Sequence, residues 1–115
     1  MALKLKEIPY VHAEGMMGGE LKHGTLALIE DGTPVFALVP AENDPITSNV
    51  EEVRARDGDV IEISPHTGPL DIPTGEDGFP FYATTIGFLL SYYLGVERET
   101  AIDRPRNLAK SVTVR

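Results

Sequence analysis

The sequence has no cysteine. It therefore carries no disulfide, no thiolate nucleophile and no Cys-based zinc site. Bases are scarce through its middle: residues 25–95 hold only Arg54 and Arg56, and all four lysines (Lys4, Lys6, Lys22 and Lys110) lie in the two end segments. The formal net charge is -8. An acidic middle argues against nucleic acid or an anionic membrane as partner, and also fits a surface adapted to high salt. An anionic ligand is expected where the basic ends converge. No apolar run approaches the roughly 20 residues of a membrane span, and the opening Met-Ala-Leu-Lys-Leu-Lys-Glu places charges where a signal peptide needs an apolar stretch. The expectation is a soluble cytoplasmic protein of one domain, since 115 residues suffice for one and not two.

What is present alternates between helical and extended patterns. Leu5, Ile8 and His12 fall at i, i+3 and i+7, which predicts a helix over residues 4–10 that ends or kinks at Pro9. His12 is expected on its apolar face. Glycines at 15, 18 and 19 make a connection, and residues 20–29 read as a short helix loosened at Gly24. Residues 34–40 form an apolar run between two prolines, the pattern of a parallel strand buried on both faces. Asp44-Pro45 supplies an N-cap and a first-turn proline for a helix to about Arg56, with Ile46, Val50 and Val53 as its stripe and Asp57-Gly58 as its stop. Residues 60–63 read as a second strand, and 64–78 as a loop with an optional short strand at 70–72. Residues 79–94 read as an apolar helix ended by Gly95. This order predicts an α/β layered sheet with a right-handed βαβ unit joining the two strands.

Few residues have patterns that carry chemistry. Lys4 and Glu7 are three apart and share a helix face, so an acid with a basic neighbour could move a proton there. An ordinary surface ion pair meets the same spacing. Gly19-Glu20-Leu21-Lys22-His23-Gly24 sets an acid, a base and an imidazole between glycines, and His23 could exchange protons near neutral pH. A solvated turn fits equally. His66 reads as an exposed loop residue. Three scattered histidines make a poor metal site, and no metal or cofactor is expected. The tail from Asp103 to Val114 mixes apolar and basic residues, as a docked segment does. A lysine held there in a dry pocket could form an imine with a ketone, while a loose tail with an exposed lysine remains open.

These signals coincide in one family. The stretch Ala2-Leu3-Lys4-Leu5-Lys6-Glu7-Ile8, then Tyr10-Val11-His12-Ala13-Glu14, Gly19-Glu20-Leu21-Lys22-His23-Gly24, Asn49-Val50-Glu51-Glu52-Val53-Arg54-Ala55-Arg56 and the tail Pro105-Arg106-Asn107-Leu108-Ala109-Lys110-Ser111-Val112-Thr113-Val114 resemble the glucosamine-6-phosphate synthase family in order. The resemblance implies a flavodoxin-like, three-layer sugar isomerase (SIS) subdomain, shortened at its N-terminus. Residues 1–102 would be a partial second SIS subdomain and 103–115 an active-site tail.

The same resemblance assigns roles. It makes Glu7 the base that moves a proton between C1 and C2 of the sugar, Lys4 its assistant, His23 the ring-opening histidine lent to a neighbouring subunit, and Lys110 the imine-forming lysine. Ala109 and Arg106 match tail positions at the sugar. The implied reaction converts fructose 6-phosphate to glucosamine 6-phosphate with glutamine-derived ammonia. The implied partners are the sugar phosphate, a second copy, or a first SIS subdomain and a glutaminase domain. Thr25 stands where the family usually has proline, Pro9 is not a family requirement, and neither a glutaminase cysteine nor a Ser/Thr-rich phosphate loop occurs. The chain is therefore expected to be inactive alone. A non-catalytic sugar-phosphate-binding module and a sugar-amine deglycase are the alternative readings.

Overall fold

Pro34 can open a strand but cannot continue a ladder from its missing N–H, and the residues after it are apolar or β-branched. In the computed structural model, which describes residues 1–66 and 75–109, strand β1 is Pro34–Leu38. It pairs in parallel with β2, Asp59–Ile63, in the register Pro34↔Asp59 through Leu38↔Ile63. The Val39 N–H extends the ladder by donating to the Ile63 carbonyl at 2.9 Å. Helix α2, Ile46–Arg54, connects the strands. Parallel neighbours need such a crossover, so the expected βαβ unit is present. The optional strand at 70–72 lies outside the described residues.

Asp44 starts α2 as expected. Its carboxylate accepts the Ile46 N–H at 3.0 Å, and its carbonyl accepts the Thr47 N–H at 3.0 Å. The helix ends two residues before the expected Arg56, and the left-handed residue of its stop is Asp57, with φ 61°. Gly58 serves the stop differently. A Cβ there would lie 2.5 Å from Val53 Cγ1 and 3.0 Å from Ile29 Cγ2, so this glycine is set by close packing.

Val50 and Val53 are buried on α2 as the stripe requires. Ala37, Val39 and Val50 form the core, with Ile46 and Val60 packed against them. The expectation that β1 is buried on both faces is not met. Ala37 is buried, whereas Leu38 is 39% and Ile61 43% exposed on the opposite side of the pleat. Among the described residues α2 covers one face of the pair, and the other face is less enclosed.

These strands and α2 belong to the unit Met16–Ala83; a second unit consists of Met1–Gly15 and Thr84–Arg115. In the first unit, the helix expected over 20–29 is two 3-10 helices, Gly18–His23 and Thr25–Leu28. The break is Gly24, whose φ of 154° favours glycine. Gly18 lets this segment approach α2, since a Cβ would fall 2.9 Å from Asn49 Oδ1 and 3.0 Å from Ile46 Cγ1. Lys22 pairs with Glu52 at 2.6 Å. Arg54 bridges Glu51 and Glu62, whose hydrogen bonds, Glu51's foremost, raise its pKa above the ordinary arginine value.

In the second unit, α1 is Ala2–Glu7, so it starts and ends earlier than expected. Pro9 offers no N–H to continue it and is fully buried. His12 therefore falls beyond the helix and is exposed, not packed on an apolar face. Helix α3, Phe79–Glu97, begins in the unit Met16–Ala83 and runs into this one. It passes straight through Gly95, the expected stop, and the left-handed residue after it is Glu99. Gly95 is instead a contact: its Cβ would lie 2.8 Å from Ile8 Cγ2. Ser91 is buried and returns its hydroxyl to the Gly87 carbonyl at 2.8 Å. By length and composition α3 could cross a membrane, which corrects the expectation that no such run exists. Its small-residue row at Gly87, Ser91 and Gly95 is nevertheless buried in the chain's own packing.

Two substitutions separate packing from surface charge. Gly58→Ala should destabilise the chain by roughly 1–3 kcal/mol, because Val53 and its backbone must move. Lys22→Ala should change stability by less than about 1 kcal/mol, because its ion pair is solvated. Urea denaturation of both variants, followed by circular dichroism, checks the contrast.

Candidate functional site

The N-terminal segment and the tail meet within one unit. Glu7 is the last residue of α1, and its carboxylate takes Lys4 Nζ at 2.6 Å. The side chains are 26% and 38% exposed, so the pair stays open to solvent on one side. Lys4 reaches Glu7 because residues three apart share a helix face.

After Pro9 the chain turns sharply. Tyr10 has φ 57°, and the Val11 N–H then donates to the Leu5 carbonyl at 2.9 Å. A left-handed conformation costs a residue with a Cβ about 1 kcal/mol. At the far end of the sequence α3 stops, the Thr100 N–H and hydroxyl both donate to the Gly95 carbonyl, and a turn at Ala101–Arg104 follows. The tail then runs past Glu7. Glu7, Asp103, Arg104, Pro105, Leu108 and Ala109 line an open cavity of about 450 Å³. That is within the usual range for a small-molecule site. Among the described residues its lining combines two acids, one base and the apolar Pro105, Leu108 and Ala109.

Of the residues singled out from the sequence, Lys4, Glu7 and Ala109 come together here. Arg106 is close by but does not line the cavity. Its guanidinium lies 4.1 Å from the centroid of the Tyr10 ring, and its backbone N–H donates to the Tyr10 hydroxyl oxygen at 2.9 Å. Lys110 follows Ala109 in the sequence and lies outside the described residues. His23 ends the first 3-10 helix of the other unit and is exposed. Among the described residues no group of three or more histidines and carboxylates is placed to hold a metal ion.

Sequence reasoning missed Tyr10, Asp103, Arg104, Pro105 and Leu108. Tyr10 had one available signal, since a residue directly after a helix-ending proline is a natural turn position. The other four lie inside the stretch 103–115 that the family resemblance reads as an active-site tail, without being singled out in it.

Comparison with known proteins places this geometry. The family model described as SIS domain matches residues 1–68. Glutamine–fructose-6-phosphate aminotransferase (isomerising) of Bacillus cereus is 50% identical over 121 residues, covering 98% of this chain and 20% of the relative. The protein of the same name from Methanosarcina acetivorans is 44% identical over 125 residues, with the same coverage of 98% and 20%. The chain thus spans about a fifth of the length of these relatives. Among solved structures, the C-terminal domain of glucosamine-fructose-6-phosphate aminotransferase from Francisella tularensis matches with TM-score 0.77 and 37% identity, over 90% of this chain and 32% of that one. Glucosamine-6-phosphate deaminase from Thermotoga maritima matches with TM-score 0.74 and 27% identity, over 96% and 34%. These matches bear out the flavodoxin-like α/β reading and the resemblance drawn from the motifs. With more than half of its length matched by the family model, the chain belongs to the SIS-domain family.

Proposed function

We propose that this chain carries part of the active site that converts fructose 6-phosphate to glucosamine 6-phosphate, with Glu7 as proton shuttle and Lys110 as imine-forming amine. The observation that carries the reading is the shared cavity: Glu7 from the N-terminal helix and Ala109, the neighbour of Lys110, line the same 450 Å³ space. Aminotransferase relatives at 50% identity supply the substrate class.

The chemistry follows from the residue types. The Lys110 amine condenses with the C2 carbonyl of the open ketose, forming a C=N bond and releasing water. Glutamine-derived ammonia adds to this imine carbon and expels the Lys110 amine, leaving a C2 imine of ammonia that withdraws electrons from C1 and makes a C1 proton removable. The Glu7 carboxylate takes that proton and returns it to C2, which leaves the carbonyl at C1. Lys4 holds the carboxylate in position through the 2.6 Å ion pair. Ammonia derived from glutamine in a glutaminase domain supplies the amino group. His23 assists ring opening from a neighbouring subunit. Ala109 borders the sugar, and Arg106, held on Tyr10, acts on the site through the tail it belongs to. A charged sugar phosphate does not cross membranes unaided, so the reaction belongs in the cytoplasm. A homodimer, or assembly with a first SIS subdomain, completes the site.

This reading has measurable consequences. Borohydride added to the chain with fructose 6-phosphate should fix a sugar adduct on Lys110, seen by peptide mass spectrometry, and Lys110→Arg should abolish it. An adduct spread evenly over the four lysines would contradict the assignment.

Activity should depend on polypeptide beyond this chain. Turnover by the isolated chain should be far below that of a full-length synthase, and a separately purified first SIS subdomain should raise it. In that mixture Glu7→Gln should lower turnover by about 10²–10⁴-fold. Full activity of the chain alone, or of Glu7→Gln in the mixture, would count against the proposal.

A further inference from the structure

Tyr10 combines an unfavourable backbone with contacts to a segment 96 residues away. Its φ of 57° lies in a region that glycine enters freely and a tyrosine enters only when its surroundings hold it there. Buried Pro9 on one side and the Val11–Leu5 hydrogen bond on the other fix this turn. Glycine would suit the turn better but would bring no side chain. The tyrosine side chain is occupied on two sides. Its hydroxyl oxygen accepts the Arg106 backbone N–H at 2.9 Å, and its ring lies under the Arg106 guanidinium at 4.1 Å.

Arg106 sits in the middle of the tail residues that build the cavity. Asp103, Arg104 and Pro105 precede it, and Leu108 and Ala109 follow. Fixing Arg106 at both its backbone and its side chain therefore restrains both flanks of the cavity wall. A flexible tail would otherwise pay the ordering entropy of these residues each time a ligand binds. Two bonds to a rigid turn at the end of the helix that bears Glu7 remove that freedom beforehand.

We propose that Tyr10 is a positioning residue that clamps the tail at Arg106 and so holds residues 103–109 against the cavity containing Glu7. The clamp stands on geometry; its catalytic consequence rests on the sugar-site reading given above.

Amide hydrogen exchange, with borohydride trapping on the same samples, tests it. Tyr10→Phe keeps the ring under the guanidinium and removes the acceptor. It should raise exchange at the Arg106 amide about fivefold, the loss of one ordinary hydrogen bond. Tyr10→Leu removes ring and acceptor and should raise exchange across residues 103–109. In both variants the amides of Val50 and Val53 should keep their wild-type protection. Trapping of fructose 6-phosphate on Lys110 should slow in the order wild type, Tyr10→Phe, Tyr10→Leu. Unchanged Arg106 exchange in Tyr10→Phe would overturn the clamp, and this variant is mild enough to fold if Tyr10→Leu does not. A loosened tail with unchanged trapping would overturn the positioning role. No adduct on the wild-type chain would count against the sugar-site reading, and the exchange data would still decide the clamp.

Discussion

The candidate site depends on how closely α3 lets the N-terminal segment approach. Gly95 has no side chain where Ile8 Cγ2 would meet a Cβ at 2.8 Å, and at Gly87 a Cβ would stand 3.2 Å from the Met1 backbone. Larger residues at either position would push α1 off α3. Interiors of near-crystalline density relay such a push to neighbouring groups. Ile8 directly follows Glu7, so the carboxylate's position is set by a glycine 88 residues further along the chain. The Gly95 carbonyl also receives both donors of Thr100, which turns the chain back toward the tail. One glycine thus governs the approach of Glu7 and the departure of the segment that faces it.

The unit Met16–Ala83 follows a different logic. Its β1–α2–β2 core is a local crossover, with short connections and a conventional helix start at Asp44. Such features are readable from sequence because each is set by residues within a few positions of it. The strand pair, α2 with its buried Val50 and Val53, and the exposed His66 were all legible for this reason. The same locality explains one error and one success. Asp57-Gly58 does end α2, the Gly58 N–H donating to the Val53 carbonyl at 3.2 Å, whereas α3 continues past Gly95 although glycine often ends helices. Gly95 instead admits Ile8, and no local pattern reveals a partner brought in by packing.

The site itself was legible only in part. The Lys4–Glu7 spacing implied a shared face, which the 2.6 Å contact realises. Nothing in the spacing said that a tail a hundred residues away would line the same cavity; that came from family resemblance. Tyr10 was passed over because its contribution is a long-range contact made from a disfavoured backbone. Propensity rules mark such a position as unlikely for tyrosine instead of informative. Places where local rules fail are where functional constraint is expected to concentrate.

The electrostatics of the cavity bear on what the ion pair is for. Lys4 and Glu7 are each more than a quarter exposed, and exposed pairs contribute little to folding. Stability therefore gives no strong reason for a lysine at that position. Orientation does. A carboxylate at the end of a short helix can rotate about its side-chain bonds, and a cation three residues earlier selects one arrangement. The cavity adds Asp103 on the same lining and Arg104 beside it. On the proposed reading, a neutral sugar carbon would meet an oriented carboxylate there, next to a second acid and, among the described residues, one lining base. An oriented carboxylate of this kind suits the reacting end of the sugar. The chain spans about a fifth of its curated relatives, and the unit that sets Glu7 beside the tail residues is assembled from the two ends of its sequence.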